Sequence, residues 1–329
     1  VSLRVGVIGA GAMGADHIRT ISSSVPAARV SAVYDFNRDT AYAAASPVGA
    51  EVMGSAEELV DSSDVDAVII ASPDRTHADL VRYCLAAGKQ VLCEKPLAVT
   101  ADEAYGVVEA ETAGGRRLLQ VGFMRRYDPG FVALRRTITD GVVGEVRLVH
   151  AIHRNASSST STDDAGLITG SMIHELDTVA WLLDDEIASI RVESPIVEGF
   201  RDPQLATIWM RGGAMVTAEV FVNAGYGYDV RCEVVGSQGT ASLAPSSPVS
   251  TRVAGVDGVP VRDDFVAHFA DAYRIELSTW AAEALTGTTS GPSAWDGYVA
   301  NAVAEAGVAS LASGAREPVI LKDRPTLYA

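Results

Sequence analysis

The chain has 329 residues, 48% hydrophobic and 21% charged, the proportions of a soluble globular enzyme with length enough for two domains. A net charge of −16 argues against a partner rich in phosphate, whether nucleic acid or an anionic membrane surface. No apolar run is long enough to span a bilayer, and Val1–Gly9 lacks the regions of a secretion signal, so the expected location is cytoplasmic. Cys84, Cys93 and Cys232 are scattered. They read as buried thiols in a reducing compartment, and no metal site is expected.

Along residues 1–122, apolar strands alternate with helices. Leu3–Ile8 is the first strand, followed by a glycine-rich turn and a helix to about Ser24. Strands follow at Arg29–Tyr34, Ala67–Ala71, Gln90–Cys93 and Leu118–Val121. Helices lie between them, ending near Asp61, at Ala78–Ala87 before Gly88, and at Ala101–Ala113 before Gly114-Gly115. Continuous apolar strands between helices imply an α/β domain with a parallel sheet covered on both faces.

After Gly122 the rhythm changes. A helix at Pro129–Asp140 leads to a strand at Glu145–His153, and a Ser/Thr-rich loop at Ala156–Asp164 precedes a helix at Ser171–Leu183. Strands then come in succession at Ile187–Glu193, Leu205–Arg211, Met215–Val222, Tyr228–Val235 and Thr240–Leu243. Helices at Asp264–Leu285 and Ala294–Ser313 close the chain. Short connections such as Arg211-Gly212-Gly213 point to a second, α+β domain over residues 123–329, with a large, mainly antiparallel open sheet. An open face must be covered, which makes a homo-oligomer packed through its sheets the expectation.

Gly9-Ala10-Gly11-Ala12-Met13-Gly14 lies between a strand and a helix, the context in which GxGxxG binds a dinucleotide. Gly9 permits the tight turn, Gly11 lets main chain approach a pyrophosphate, and Gly14 lets helix and strand pack closely. The helix N-terminus, with Ala12 and Met13 in its first turn, offers N–H groups to the phosphates. Asp35 closes the second strand, about 20 residues after the last glycine. Its carboxylate suits the ribose hydroxyls of NAD and would repel the extra phosphate of NADP. Arg38 nearby tempers that selection. Ser72 and Pro73 follow the next strand at the ligand-binding edge. His77 lines the same site or, more plainly, caps its helix or faces solvent.

Glu94-Lys95-Pro96 follows the strand Gln90–Cys93. A lysine held extended before proline points along the edge where a nicotinamide lies, although a solvated surface lysine satisfies the tripeptide equally. His174 and Asp177 are three apart on a helix and share a face. A histidine held by a carboxylate can act as a general base, and an ordinary helix histidine is the plainer alternative.

Val7-Ile8-Gly9-Ala10-Gly11-Ala12-Met13-Gly14, Cys93-Glu94-Lys95-Pro96-Leu97-Ala98, Val121-Gly122-Phe123-Met124-Arg125-Arg126-Tyr127-Asp128, His153-Arg154-Asn155, Ile173-His174-Glu175-Leu176-Asp177, Tyr226-Gly227-Tyr228-Asp229 and Ser290–Tyr298 together resemble the glucose–fructose oxidoreductase/inositol dehydrogenase/MocA family, and within it the inositol dehydrogenase branch. The resemblance implies Lys95 on the reacting hydroxyl and His174 as acid/base. It implies Met124, Arg125, His153, Asn155, Asp177 and Tyr228 around a small cyclic polyol or sugar, with NAD held by the glycine loop, Asp35, Ser72, Pro73, His77, Glu94 and Lys95. It also implies a homotetramer.

One departure stands out. The branch carries an aspartate one helical turn before its histidine, where this chain has Gly170. Asp177, Asp163 or Asp164 could replace it. Otherwise the substrate is a different sugar or an aminocyclitol, or the chain is a non-catalytic dinucleotide-binding sensor.

Overall fold

The computed structural model describes residues 2–158, 162–196, 199–244 and 249–329. Of the Ser/Thr-rich stretch, residues 159–161 lie outside them. The chain divides into two compact units, neither one continuous. The first takes Val1–Met124, Asp271–Asn301 and Lys322–Ala329, the second Arg125–Ala270 and Ala302–Leu321.

The first unit is built on six parallel strands: β1 (Leu3–Ile8), β2 (Ala28–Tyr34), β3 (Glu51–Val52), β4 (Ala67–Ile70), β5 (Gln90–Cys93) and β6 (Leu119–Val121), in the order β3-β2-β1-β4-β5-β6. β4 and β5 are buried at every position, which a strand can be only when both sheet faces are covered. The interleaved helices are α1 (Ala12–Ser24), α2 (Arg38–Ala45), α3 (Ala56–Asp61), α4 (His77–Ala86) and α5 (Ala101–Gly114). Local chemistry sets several starts. The Asn37 side chain accepts from Asp39 and Thr40 N–H at the head of α2, and Thr100 with Glu103 forms a capping box on α5. The strand order reverses between β1 and β4, so a crevice opens beyond their carboxyl ends. Gly9 and Ala71-Ser72 follow directly there. Leu277, Trp280 and Ala281 of α8 (Ala270–Thr286) pack into the core with Val7, Val33 and Leu92, which draws this late helix into the first unit. The single helix expected over Asp264–Leu285 is interrupted: a short turn covers Phe265–His268 before α8 begins.

The second unit has a seven-stranded sheet made of β7 (Val146–Arg154), β8 (Ile187–Glu193), β9 (Gln204–Met210), β10 (Met215–Phe221), β11 (Asp229–Gly236), β12 (Thr240–Ser242) and β15 (Glu317–Pro318). Their order is β12-β11-β7-β10-β9-β8-β15. All pairings are antiparallel except β7 with β10, which is parallel with Val149 opposite Val216. Along β10, Val216, Ala218 and Val220 are fully buried while Thr217, Glu219 and Phe221 are not, so the sheet has one core face and one open face. α6 (Pro129–Thr139) starts on an Asp128 cap with proline at its first position, and α7 (Ile173–Leu183) follows a wide π-helical turn over Leu167–Met172. A separate hairpin pairs β13 (Thr251–Val253) with β14 (Val256–Gly258). The last helix is α9 (Ala294–Ser313). Among the described residues no helix is long and apolar enough to cross a membrane.

Candidate active site

At the β1–α1 turn, Gly9 has φ of +90°, and a β-carbon there would run into the main chain of Ala71 and Ser72. A β-carbon on Gly14 would strike the carbonyl of Gly9, whereas one on Gly11 meets no atom within 4 Å. α1 opens on Gly11 with no side-chain cap, so its first-turn N–H groups, Ala12 and Met13 among them, are left to an anion. Asp35 braces this loop: Oδ2 accepts from Ala10 N–H at 2.7 Å and Oδ1 from Asn37 N–H at 2.8 Å. Each oxygen retains accepting capacity for a ribose hydroxyl. Space at Gly11, an uncapped helix end and an acid at the strand end together fit a dinucleotide. Arg38 is exposed and donates to the Tyr42 hydroxyl at 3.2 Å. Phe36, overlooked in the sequence, is 98% exposed beside Asp35.

Ser72 and Pro73 lead into α4. His77 is buried, and its nitrogens face two main-chain carbonyls: Nδ1 that of Pro96 at 2.7 Å and Nε2 that of Ser72 at 2.8 Å. Solvent is therefore not its neighbour. A neutral ring donates to only one of those carbonyls at a time. Lys95 is half-buried on the turn after β5, and its bond to Pro96 is cis. Beside it Glu94 is buried, with His17 Nε2 donating to its Oε1 at 2.7 Å and Lys95 N–H to its Oε2 at 3.3 Å. Burial pushes the Glu94 carboxyl up. The His17 hydrogen bond and the Lys95 charge outweigh that and hold it below the usual carboxylate value. Deeper in, burial and the Glu94 charge push fully buried Glu276 well above the carboxylate range, with the Gln120 amide beside it.

In the second unit, the sequence-derived residues meet around Glu175, which the sequence reading did not single out. Arg125 Nη1 donates to Glu175 Oε1, and His153 Nδ1 donates to Oε2 at 3.2 Å. With that proton placed, His153 Nε2 accepts from the Tyr228 hydroxyl at 3.2 Å. β7 positions His153 and the start of β11 positions Tyr228, whose N–H is fixed by the Arg262 carbonyl at 2.7 Å. Burial would raise the Glu175 carboxyl, but the Arg125 charge and the hydrogen bonds from His153 and Arg125 hold it low. Burial takes the Tyr228 phenol up to about 12, against the opposing Arg125 charge, so the hydroxyl keeps its proton to donate. His268 meets Tyr228 edge-on with centroids 5.3 Å apart. Burial, then the Arg125 charge, push it down to about 4.

His174 is buried on the first turn of α7, its ring edge-on to His153 with centroids 6.1 Å apart. Asp177, expected to support that histidine, receives Arg126 on both oxygens, Nε at 3.0 Å and Nη2 at 2.5 Å. Asn155 is half-buried, and its Oδ1 has no hydrogen-bond partner among the described residues. Met124 is buried at the end of the first unit's N-terminal stretch. Gly170 lies in the π turn, where an added β-carbon meets nothing within 4 Å. Two signals for the missed groups were present in the sequence. Glu175 sits inside the His174-Glu175-Leu176-Asp177 run, and His17 is three residues past Gly14, on the helix that the glycine packs down.

Residues 3–123 match the family described as "Oxidoreductase family, NAD-binding Rossmann fold", and residues 131–242 match the "GFO/IDH/MocA C-terminal domain". Over 335 residues the chain is 45% identical to inositol 2-dehydrogenase 2 of Saccharopolyspora erythraea, covering 100% of this chain and 99% of that one. It is 45% identical over 337 residues to the inositol 2-dehydrogenase of Cereibacter sphaeroides, covering 100% of both. The crystal structure of myo-inositol dehydrogenase from Lactobacillus casei in complex with NAD(H) and myo-inositol matches at 34% identity with a TM-score of 0.96 over 100% of both chains. With the two matches together spanning most of its length, the chain belongs to the GFO/IDH/MocA family of oxidoreductases.

Proposed function

We propose that this protein is an NAD-dependent dehydrogenase of a cyclic polyol, oxidising myo-inositol to the 2-keto inosose. The observation that carries the reading is full-length identity of 45% to inositol 2-dehydrogenases, with Lys95 and His174 both present. NAD, when bound, supplies the hydride acceptor. Gly9, Gly11 and Gly14 shape its cradle, the N–H groups of Ala12 and Met13 meet its phosphates, and Asp35 takes its ribose. Ser72, Pro73 and His77 form the neighbouring wall, with Phe36 a flat apolar face beside Asp35.

Lys95 contributes a cation that stabilises the alkoxide developing on the substrate oxygen. His174 accepts the hydroxyl proton, a service worth about 10²–10⁴-fold in rate. Asn155 Oδ1 accepts from another substrate hydroxyl, which gives that buried oxygen a partner. Arg125 works indirectly: it keeps Glu175 charged, and Glu175 sets the His153 proton so that the Tyr228 hydroxyl donates to Nε2 and offers its oxygen to the substrate as an acceptor. We further propose that the protein acts in the cytoplasm as a homotetramer packed through the open sheet face, with residues 1–122 and 123–329 as its nucleotide and substrate regions.

Gly170 supports a second reading, a dehydrogenase of a bulkier sugar or an aminocyclitol, because the space there is open. Initial rates of NAD reduction with myo-inositol, scyllo-inositol, glucose and an aminocyclitol separate the readings. The first expects myo-inositol to give the highest kcat/KM, and Gly170→Asp to keep or raise it. A preference for the aminocyclitol or glucose that Gly170→Asp abolishes selects the second. Binding of NAD with no turnover of any polyol would leave only a sensor.

A further inference from the structure

Lys95 stands on a two-sided mount. On its amino side, Glu94 is buried and accepts both the His17 ring N–H at 2.7 Å and the Lys95 main-chain N–H at 3.3 Å. On its carboxyl side, the Pro96 carbonyl is met by His77. His17 is fully buried on α1, the helix whose N-terminus forms the dinucleotide loop, and its Nδ1 has no hydrogen-bond partner among the described residues. Among the described residues its ring hydrogen bond goes to Glu94. A carboxylate can only accept, so the ring proton sits on Nε2. A charge-assisted bond of this kind, removed from solvent, is stronger than one between neutral groups and is costly to leave unmade.

We propose that His17 is a positioning residue for Lys95, acting through Glu94 to tie the turn that carries the lysine to the helix that opens the dinucleotide loop. The effect of Lys95 on a developing alkoxide depends on where its ammonium is held, and small displacements of a charged group are expensive in rate. His17 is too deeply buried to meet substrate, so its contribution is to geometry. Glu94 thus holds the amino side of the lysine turn through the Lys95 N–H and reaches α1 through the His17 ring.

Two polar replacements separate this role from simple core packing. Glutamine places an amide N–H where histidine has Nε2, and asparagine places one where it has Nδ1, out of reach of Glu94. Residue-resolved hydrogen exchange on His17→Gln and His17→Asn reports the tie without any need for turnover. We expect the Lys95 amide to exchange roughly 10-fold or more faster in His17→Asn, with His17→Gln near wild type and strand β5 unchanged in both. With the polyol that the wild type oxidises, His17→Asn is expected to lower kcat by roughly 10–100-fold with little change in the NAD dissociation constant, and His17→Gln to recover most of the loss. Equal exchange at Lys95 in both variants, or equal losses of kcat and of NAD affinity in both, would overturn the proposal. The kinetic arm rests on the dehydrogenase reading. If the wild type turns over no polyol, that reading fails while the exchange comparison still decides the role of His17.

Discussion

The glycine turn of the first unit leaves main-chain groups open, whereas the network of the second unit is made of side chains. Around Gly9, Gly11 and Gly14 the groups available to a ligand are N–H donors fixed by turn geometry, with Asp35 adding a side chain at the end of β2. Around Glu175 every useful group is a side chain, held by a buried chain of bonds from Arg125 through Glu175 and His153 to Tyr228. A main-chain site needs small residues at fixed spacing and tolerates change elsewhere. A buried side-chain network fails when one member is removed, because the remaining members keep their charges and lose their partners.

The largest expected effect follows from that contrast. Glu175→Ala leaves the buried Arg125 guanidinium without its carboxylate, and we expect a loss of about 3–5 kcal/mol in urea unfolding at neutral pH. A loss within experimental error of zero would mean that the network is dispensable and that the two units do not differ as described. The same network gives a pH signature. The Glu175 carboxyl sits low in the fold, so its contribution is present above the unfolded pKa near 4.5 and is lost as pH falls through the folded value.

In the first unit, Gly14→Val drives a side chain into the Gly9 carbonyl. We expect NAD binding, followed by quenching of protein fluorescence, to be lost, with milder damage to stability than in Glu175→Ala. Retained NAD affinity would show that close packing of α1 on the loop is not what forms the cradle.

The smallest effect concerns the buried acid of α8 that lies within reach of the Glu94 charge. Glu276 is held neutral by burial and by Glu94, so its folded pKa lies above the unfolded value near 4.5. Between those values the native chain holds a proton that the unfolded chain releases, and stability falls as pH rises. Glu276→Gln removes that dependence. Its melting temperature should exceed that of wild type at about pH 8, with the gap closing towards about pH 5. An equal shift at both values would mean that the carboxyl is ionised in the fold.

Much of the fold was legible from periodicity. The continuous apolar runs Ala67–Ile70 and Gln90–Cys93 and the alternation along Met215–Phe221 correspond to strands buried on two faces and on one. What escaped had weak local signals. β3 spans two residues, and α2 is short and owes its start to a single Asn37 cap. The parallel pairing of β7 with β10 and the packing of Trp280 into the first unit's core are long-range choices that no local pattern encodes. The dinucleotide loop could be read because glycine spacing is itself the geometry. His17 and Glu175 could not be distinguished from ordinary helix residues, because their roles come from partners 77 and 50 residues away in sequence.

On this chain hydride is expected to pass from a ring carbon of inositol to NAD. Incubating the enzyme with NAD and myo-inositol deuterated at carbon 2, and reading the nucleotide by mass spectrometry, tests it most directly. NADH carrying a single deuterium is expected, with formation strongly suppressed in Lys95→Ala. Unlabelled NADH, no NADH, or labelled NADH formed equally well by Lys95→Ala would contradict it.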